Sequence, residues 1–423
     1  MQVFKTRVRY IKNIKRVTHK TVAFFYGEFL KQKPRYPLQV LAKSRYLSGL
    51  HCGLSATIAL AAIRQLSNTS KSSFKFAHIC TKINYICIMP LQYSFIIPVY
   101  NRPDEIQELL ESFQALDGHI DFEIVIVEDG STKTSKTIVE AFHKTLNISY
   151  FFKDNSGPGD SRNFGMQHAK GNYFIILDSD CILPKHYLTA VEKSLNTQFV
   201  DCFGGPDAAH DSFSNLQKAI NFSMTSVITT GGIRGNKNSV GKFQPRSFNM
   251  GLSKKAFQES KGFGRIHPGE DPDLSIRLWN LGYQTKLIPE AFVYHKRRIS
   301  WSNFYKQVHK FGMVRPILNE WHPSTKKITY WFPAVFIIGF IMAILCFVAG
   351  NKWLLAAYAA YFITAFVVAL VSTRSLIVSL LAIPAILIQF FGYGYGFIKS
   401  TIAVSLLNKD PETQFPKLFF KLK

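Results

Sequence analysis

Asp178 and Asp180 flank a single serine directly after the apolar run 173–177. An unpaired carboxylate at the end of a buried segment is costly, so a counter-cation is expected. Hard divalent ions such as Mg2+ or Mn2+ take oxygen ligands and bridge to phosphates. Turns and helix caps also use D-x-D, and its weight here comes from following a strand. A second group is the loop Asn155-Ser156-Gly157-Pro158-Gly159-Asp160-Ser161-Arg162, which runs into a helix. Helix N-termini hold anions through backbone N–H groups, and Arg162 adds a planar cationic fork. The loop has neither the G-x-x-x-x-G-K-[ST] nor the G-x-G-x-x-G pattern, and it also reads as an ordinary loop with a surface arginine. A third group, Gly269-Glu270-Asp271-Pro272-Asp273, starts a helix. Its acids either complement the helix dipole or supply a general base. His295, after the strand-like run 285–293, is either a metal ligand or a buried neutral histidine.

These groups need a scaffold, and the pattern around them alternates strand and helix. Residues 95–99, 122–127, 148–152 and 173–177 read as strands, with helices between them. Pro103, Asp104 and Glu105 suit a first helical turn, followed by Ile106, Leu109, Leu110, Phe113 and Leu116 at helical spacing. Such alternation predicts an α/β domain with a mostly parallel sheet covered on both faces. Ligands bind at the carboxyl ends of such strands. Tyr100-Asn101, Glu128-Asp129 and Asp178-Ser179-Asp180 all fall at those ends.

The rest of the chain is basic and greasy. Lys plus Arg total 51 against 27 acids in 423 residues, a net charge of +24. Hydrophobic residues make up 47%, which excludes a disordered chain, and six Cys are too few for a disulfide scaffold. Most of the excess charge lies in residues 1–88. That stretch reads as a basic N-terminal extension, either poorly ordered or outside the mature protein, with Met89 available as a start. Its apolar segment 49–63 is too short to span a bilayer. With no groove-reading motif or repeat, nucleic acid is not expected as a partner. Residues 330–350, 353–373 and 375–398 carry no charged side chain. Each is long enough to cross about 30 Å of hydrocarbon, with Pro384 expected to kink the third. Lys296, Arg297, Arg298, Lys306, Lys310, Arg315, Lys326 and Lys327 precede the first segment, opposed by Glu320 alone. The positive-inside rule makes that side cytoplasmic, so the domain ahead of the segments is expected in the cytoplasm and the segments in the inner membrane. Three spans would put the basic tail 401–423 outside, so either the third segment is re-entrant or the larger domain dominates orientation.

The ordered series Phe95-Ile96-Ile97-Pro98-Val99-Tyr100-Asn101-Arg102, Val127-Glu128-Asp129-Gly130-Ser131, Arg162-Asn163-x-Gly165, Leu177-Asp178-Ser179-Asp180 and Gly269-Glu270-Asp271 resembles the family 2 glycosyltransferases. Phe248-Asn249-Met250-Gly251 and the run 288–295 look like that family too. The resemblance covers about 93–320 and implies a GT-A fold over 89–325, followed by transmembrane helices over 328–400. It implies that Pro98, Tyr100, Asn101 and Asp129 hold the nucleotide. It makes Asp178 and Asp180, with His295, ligands of Mg2+ or Mn2+ on a nucleotide-diphospho-sugar, Asp178 and Arg162 also serving the donor. It makes Asp271 the catalytic base, with Glu270 beside it. The implied reaction is metal-dependent, inverting transfer of a sugar to an acceptor hydroxyl. A polyprenyl-linked glycan at the membrane is the first choice of acceptor, since basic belts bind lipid headgroups.

Two departures refine that expectation. The acid pair after the second strand is Glu128-Asp129, where the family commonly has Asp-Asp. The Gln-x-x-Arg-Trp motif of processive members is not matched by Gln307-Val308-His309-Lys310-Phe311, which favours single-sugar transfer. The alternatives are a processive polysaccharide synthase and a non-catalytic nucleotide-sugar-binding membrane protein. Sugar choice is expected to lie between 204 and 270, around Gly204-Gly205-Pro206-Asp207 and Arg246-Ser247-Phe248.

Overall fold

The computed structural model describes residues 90–208, 213–231, 243–296 and 300–420. The extension 1–88 with its segment 49–63, Arg297, Arg298, Lys421 and Lys423 lie outside the described residues. The chain divides into two compact units, Met1–Pro90 and Leu91–Lys423, and only the second is described below.

The first half of that unit alternates strand and helix: β1 (Tyr93–Val99), α1 (Pro103–Gln114), β2 (Phe122–Asp129), α2 (Lys136–Phe142), β3 (Ile148–Lys153), α3 (Pro158–His168) and β4 (Tyr173–Leu177). Then come β5 (Cys181–Ile182), α4 (Tyr187–Thr197), β6 (Cys202–Gly204), β7 (Asp207–Ala208), α5 (Asn215–Thr225), β8 (Asn249–Ser253), α6 (Lys254–Ser260), α7 (Glu270–Asn280), β9 (Thr285–Leu287) and β10 (Val293–His295). Among the described residues, the main sheet has seven strands in the order β3-β2-β1-β4-β8-β6-β9. β3, β2, β1 and β4 are parallel, whereas β8 runs antiparallel to β4 and β6. This is the mostly parallel α/β sheet expected from the sequence.

Both faces of the central strands β1, β2 and β4 are buried, which is why they read as continuous apolar runs. Phe95, Ile97 and Val99 point to one side, against Ile106, Leu109, Leu110 and Phe113 of α1. Ile96 points to the other, with Val125, Val127, Met166 and Ile176. There α3 lies close on the sheet at Gly165, where an added Cβ would sit 2.7 Å from Ile96 Cγ2. Pairing of β1 with β4 runs from Tyr93 to Ile96 and stops before Pro98, which has no N–H to offer. The sheet therefore opens at the carboxyl ends of β1 and β4.

A second small sheet, β5-β10-β7, sits beyond β4. The run 285–293 was expected as one strand, and it divides. Pro289 cannot donate to a ladder, and Ala291 N turns back onto Ile288 O at 3.1 Å. β9 stays in the main sheet beside β6, and β10 crosses to pair antiparallel with β5, placing His295 opposite Cys181.

The remaining long helices are α8 (Trp301–Trp321), α9 (Phe332–Val348), α10 (Trp353–Thr373) and α11 (Leu376–Ser400). α8 and α11 cross closely, because Gly312 of α8 faces the Tyr393 backbone while Gly392 and Gly396 of α11 admit Val308 and the His309 carbonyl. α9 and α10 pack on α11 through Phe336, Ala365, Ala369 and Phe390. Ile338, Ile341, Ile363, Val367, Val371 and Leu380 are exposed. Among the described residues, three helices are long and apolar enough to cross a membrane: Ile328–Val348, Trp353–Thr373 and Leu376–Leu406. The third continues through a π-helical stretch, Thr401–Leu406. Pro384 lies inside it without ending it. The chain beyond it packs on residues 265–267 of the α/β domain, a contact that an odd number of membrane crossings would forbid.

Candidate active site

Four strand ends supply the site. At the end of β1, Asn101 takes a left-handed backbone (φ 54°) and Tyr100 is exposed beside it. Asn101 Oδ1 accepts from Thr132 N at 2.8 Å and Lys133 N at 2.9 Å, while its own N–H donates to Ser131 Oγ at 2.8 Å. Its amide oxygen thus ties the loop after β1 to the loop after β2.

The two acids ending β2 go separate ways, as alternation along a strand requires. Glu128 is fully buried, and its Oε2 accepts from Ser135 N at the start of α2, 2.9 Å, and from Tyr150 OH, 3.2 Å. Asp129 turns to the glycine-rich loop. Its Oδ1 accepts from Lys153 Nζ at 2.7 Å and Ser156 N at 2.9 Å, and its Oδ2 from Gly157 N at 2.9 Å. Gly157, with φ 95°, is the residue before α3. Lys153 was not anticipated from the sequence, and its signal is a lone base at the end of an apolar strand.

Arg162 is the hub. One turn into α3, its side chain is only 3% exposed. Nη2 donates to Asp178 Oδ1 at 2.7 Å and Nη1 to Glu270 Oε1 at 3.0 Å. Burial alone would lower the guanidinium's pKa, but Asp178 and Glu270 more than offset it and hold the group charged. Burial would likewise raise Glu270, yet His267, 3.0 Å from Oε1, and Arg162 bring it down to about 2. Asp271 goes the other way, raised by burial and by the Glu270 charge despite Arg246 and Arg162. Asp271 Oδ2 lies 3.4 Å from Ser247 N and 4.0 Å from Arg246 Nη1. Glu270 is thus turned into the protein, at 3% exposure, while Asp271 keeps 16%. A carboxylate with a raised pKa and an open face is suited to take a proton, and its buried neighbour is suited to hold Arg162.

The D-x-D acids also diverge. Asp178 is directed to Arg162, whereas Asp180 meets His295, with Oδ1 3.2 Å from Nε2. Asp180, Cys181 and His295 form the candidate metal cluster among the described residues, and Asp178 is not a member. The β5–β10 register explains this, since it sets His295 opposite the residue after Asp180. Arg102 Nη1 reaches Asp180 Oδ2 at 2.9 Å, and Phe248 stacks on His295 with ring centroids 4.7 Å apart. Burial, reinforced by Asp180 and Asp178, pushes the Cys181 thiol far above its usual range, so it stays neutral. The oxygen and nitrogen donors of Asp180 and His295 fit a divalent ion such as Mn2+ or Mg2+, and the neutral thiol adds little. Arg102 and Cys181 were not anticipated as parts of this cluster. Arg246, Ser247 and Phe248 lie between Asp271 and His295, while Asp207 enters the second sheet beside β10.

A mostly parallel sheet with acids at its open strand ends and a D-x-D before an antiparallel strand defines a GT-A-like α/β domain. Residues 94–259 match the family model Glycosyl transferase family 2, and the chain carries a domain of that family. A glucosyltransferase of Campylobacter jejuni, GalNAc(5)-diNAcBac-PP-undecaprenol beta-1,3-glucosyltransferase, is 27% identical over 44% of this chain and 59% of its own length. The poly(ribitol-phosphate) beta-N-acetylglucosaminyltransferase TarS of Staphylococcus aureus is 36% identical over 23% of this chain and 18% of its own. An uncharacterized glycosyltransferase of Rickettsia felis is 42% identical over 22% and 15%. The match to this chain thus spans less than two thirds of each of these relatives. Among solved structures, a mannosyltransferase of Pyrobaculum calidifontis in complex with GDP-Man and Mn2+ gives a TM-score of 0.46 at 17% identity, over 76% of this chain and 89% of that one.

Proposed function

We propose that this chain transfers a single sugar, with inversion, from a nucleotide-diphospho-sugar to an acceptor hydroxyl at a membrane. The observation that carries the reading is Arg162. It ties Asp178, at the carboxyl end of β4, to Glu270, the residue next to Asp271. One buried cation thereby ties the donor-side acid Asp178 to the residue beside the base. Pro98, Tyr100, Asn101 and Asp129 border the nucleotide. Asp180 and His295 would hold Mg2+ or Mn2+, which when bound supplies Lewis-acid stabilisation of the diphosphate. Asp271 takes the proton of the attacking hydroxyl. Glu270 and Arg162 keep Asp271 and Asp178 in place, Arg162 adding positive charge beside the leaving diphosphate.

The acceptor is lipid-linked. Three apolar helices follow the domain, Lys306, Lys310, Arg315, Lys326 and Lys327 precede them, and the Campylobacter relative bears the name of an enzyme acting on an undecaprenol-linked glycan. By the positive-inside rule the catalytic domain faces the cytoplasm at the inner membrane. The test is nucleotide release from a panel of UDP-, GDP- and dTDP-sugars, using membranes holding wild type, Asp180→Ala or Asp271→Asn. A crude lipid extract serves as acceptor, with Mn2+ or EDTA. Release from one donor, abolished by EDTA and by either substitution, is the expected result, with a product one sugar longer. Full activity in Asp271→Asn would remove that residue from its role, and an unaltered metal titration in Asp180→Ala would remove the metal assignment.

A further inference from the structure

The segment that follows α11 returns to the catalytic domain. Asp410 caps a short helical turn, Pro411–Gln414, with Oδ2 accepting from Thr413 N at 2.8 Å. Glu412 of that turn pairs with Arg265. The chain then runs antiparallel to the loop before Glu270, where Phe419 bridges Ile266, His267 N donates to Leu418 O at 2.8 Å, and Phe420 N donates to Arg265 O at 3.1 Å. Phe415 and Leu418 are buried with Ile266, Val314 and Leu318. Phe420 covers Gly157, where a Cβ would collide with its ring, and lies 5.9 Å from the ring of His267. These eleven residues therefore touch both the loop held by Asp129 and the loop that carries His267 to Glu270.

We propose that the segment Asp410–Phe420 is a strap that positions the active site: it seats His267, and through it Glu270 and Arg162, and so sets turnover. The two cores of the sheet contain no residue of the segment, and its own buried residues, Phe415 and Leu418, close a separate cluster between α8 and the loop before Glu270. The strap adds backbone hydrogen bonds to residues 265 and 267, an ion pair and an aromatic cover, all converging on the stretch just before Glu270. His267 is the positioning residue, because its Nδ1 lies 3.0 Å from Glu270 Oε1 and it acts on the site through that acid. The catalytic part of this inference rests on the sugar-transfer reading above, and its structural part does not.

The experiment compares wild type, Phe420→Ala, Arg265→Glu, the charge swap Arg265→Glu/Glu412→Arg, and a chain ending at Asn408. Hydrogen exchange of the peptide covering 263–272 is read without any ligand, and kcat and KM with the sugar-nucleotide panel. The strap predicts exchange of 263–272 faster by about tenfold or more in Phe420→Ala, Arg265→Glu and the shortened chain. It predicts kcat lower by about tenfold or more, with donor KM within about twofold, as a displaced catalytic loop requires. The charge swap should restore both. Unchanged exchange in Phe420→Ala and Arg265→Glu would overturn the strap, even if the shortened chain fails to fold. Faster exchange with wild-type kcat would overturn its effect on turnover. If wild type releases no nucleotide from any donor, the transfer reading fails, and the exchange data still decide the strap.

Discussion

Arg162→Met removes the hub charge while keeping a side chain of similar length. Glu270, 3% exposed, would then face Asp271 with His267 as its remaining partner. Breaking a buried ion pair from one side costs about 3–5 kcal/mol, because the other charge is left uncompensated. Asp178 adds little, since its side chain is 31% exposed and water can replace the guanidinium. For a domain of this size, each kcal/mol lowers the melting temperature by about 2–4 °C, so a fall of roughly 6–20 °C is expected. Differential scanning fluorimetry of the detergent-solubilised protein reads it directly. The second variant, Arg162→Met/Glu270→Gln, neutralises the stranded acid and should recover at least half of the loss, a coupling of about 2 kcal/mol. A single substitution that shifts the midpoint by less than about 2 °C, or a double variant no more stable than the single one, would refute the hub. Nucleotide release should stay low in both variants, because Asp178 has lost its anchor in each.

Glu270 also makes stability pH-dependent. Its pKa falls from 4.5 to about 2 on folding, so its contribution is fully present above pH 4.5 and is lost as pH drops toward 2. At about 1.4 kcal/mol per unit the loss is about 3 kcal/mol. Melting curves between pH 5 and 3 should fall steeply in wild type and more gently in Glu270→Gln, and equal slopes would contradict the shift. Asp271, raised on folding, has the opposite sign. Its acid limb in kcat should lie above the pH of an ordinary aspartate, and an activity profile flat down to pH 4 would exclude it as the base. Gly165→Ala should destabilise, since about 1–3 kcal/mol of overpacking against Ile96 exceeds about 1 kcal/mol of helix propensity gained, and a raised melting temperature would show that α3 can move away. His295→Ala should weaken Mn2+ binding, measured by the ion's paramagnetic resonance, about tenfold or more, and unaltered binding would leave Asp180 to be partnered elsewhere.

The alternation of strand and helix, the acids at strand ends and the three apolar segments were all legible in the residue order. Each depends on neighbours a few positions apart: period-two or period-3.6 burial, a proline at a helix start, a run without charge. The partners of those acids were not legible. Asp178 and Asp180 sit two residues apart, yet one joins Arg162 sixteen positions back and the other His295, brought over by the β5–β10 register. Glu270 and Asp271 are adjacent, and only packing decided which is buried on Arg162 and which stays open beside Arg246. The third apolar segment gave its length, but its continuous course to Leu406 and the return of Asp410–Phe420 to the base loop are decided by tertiary contacts. The division has one physical cause. Local sequence sets which conformation and which face each residue takes, while the choice among many possible charge partners depends on strand register and helix packing between residues up to 150 positions apart, such as Arg265 and Glu412 at 147.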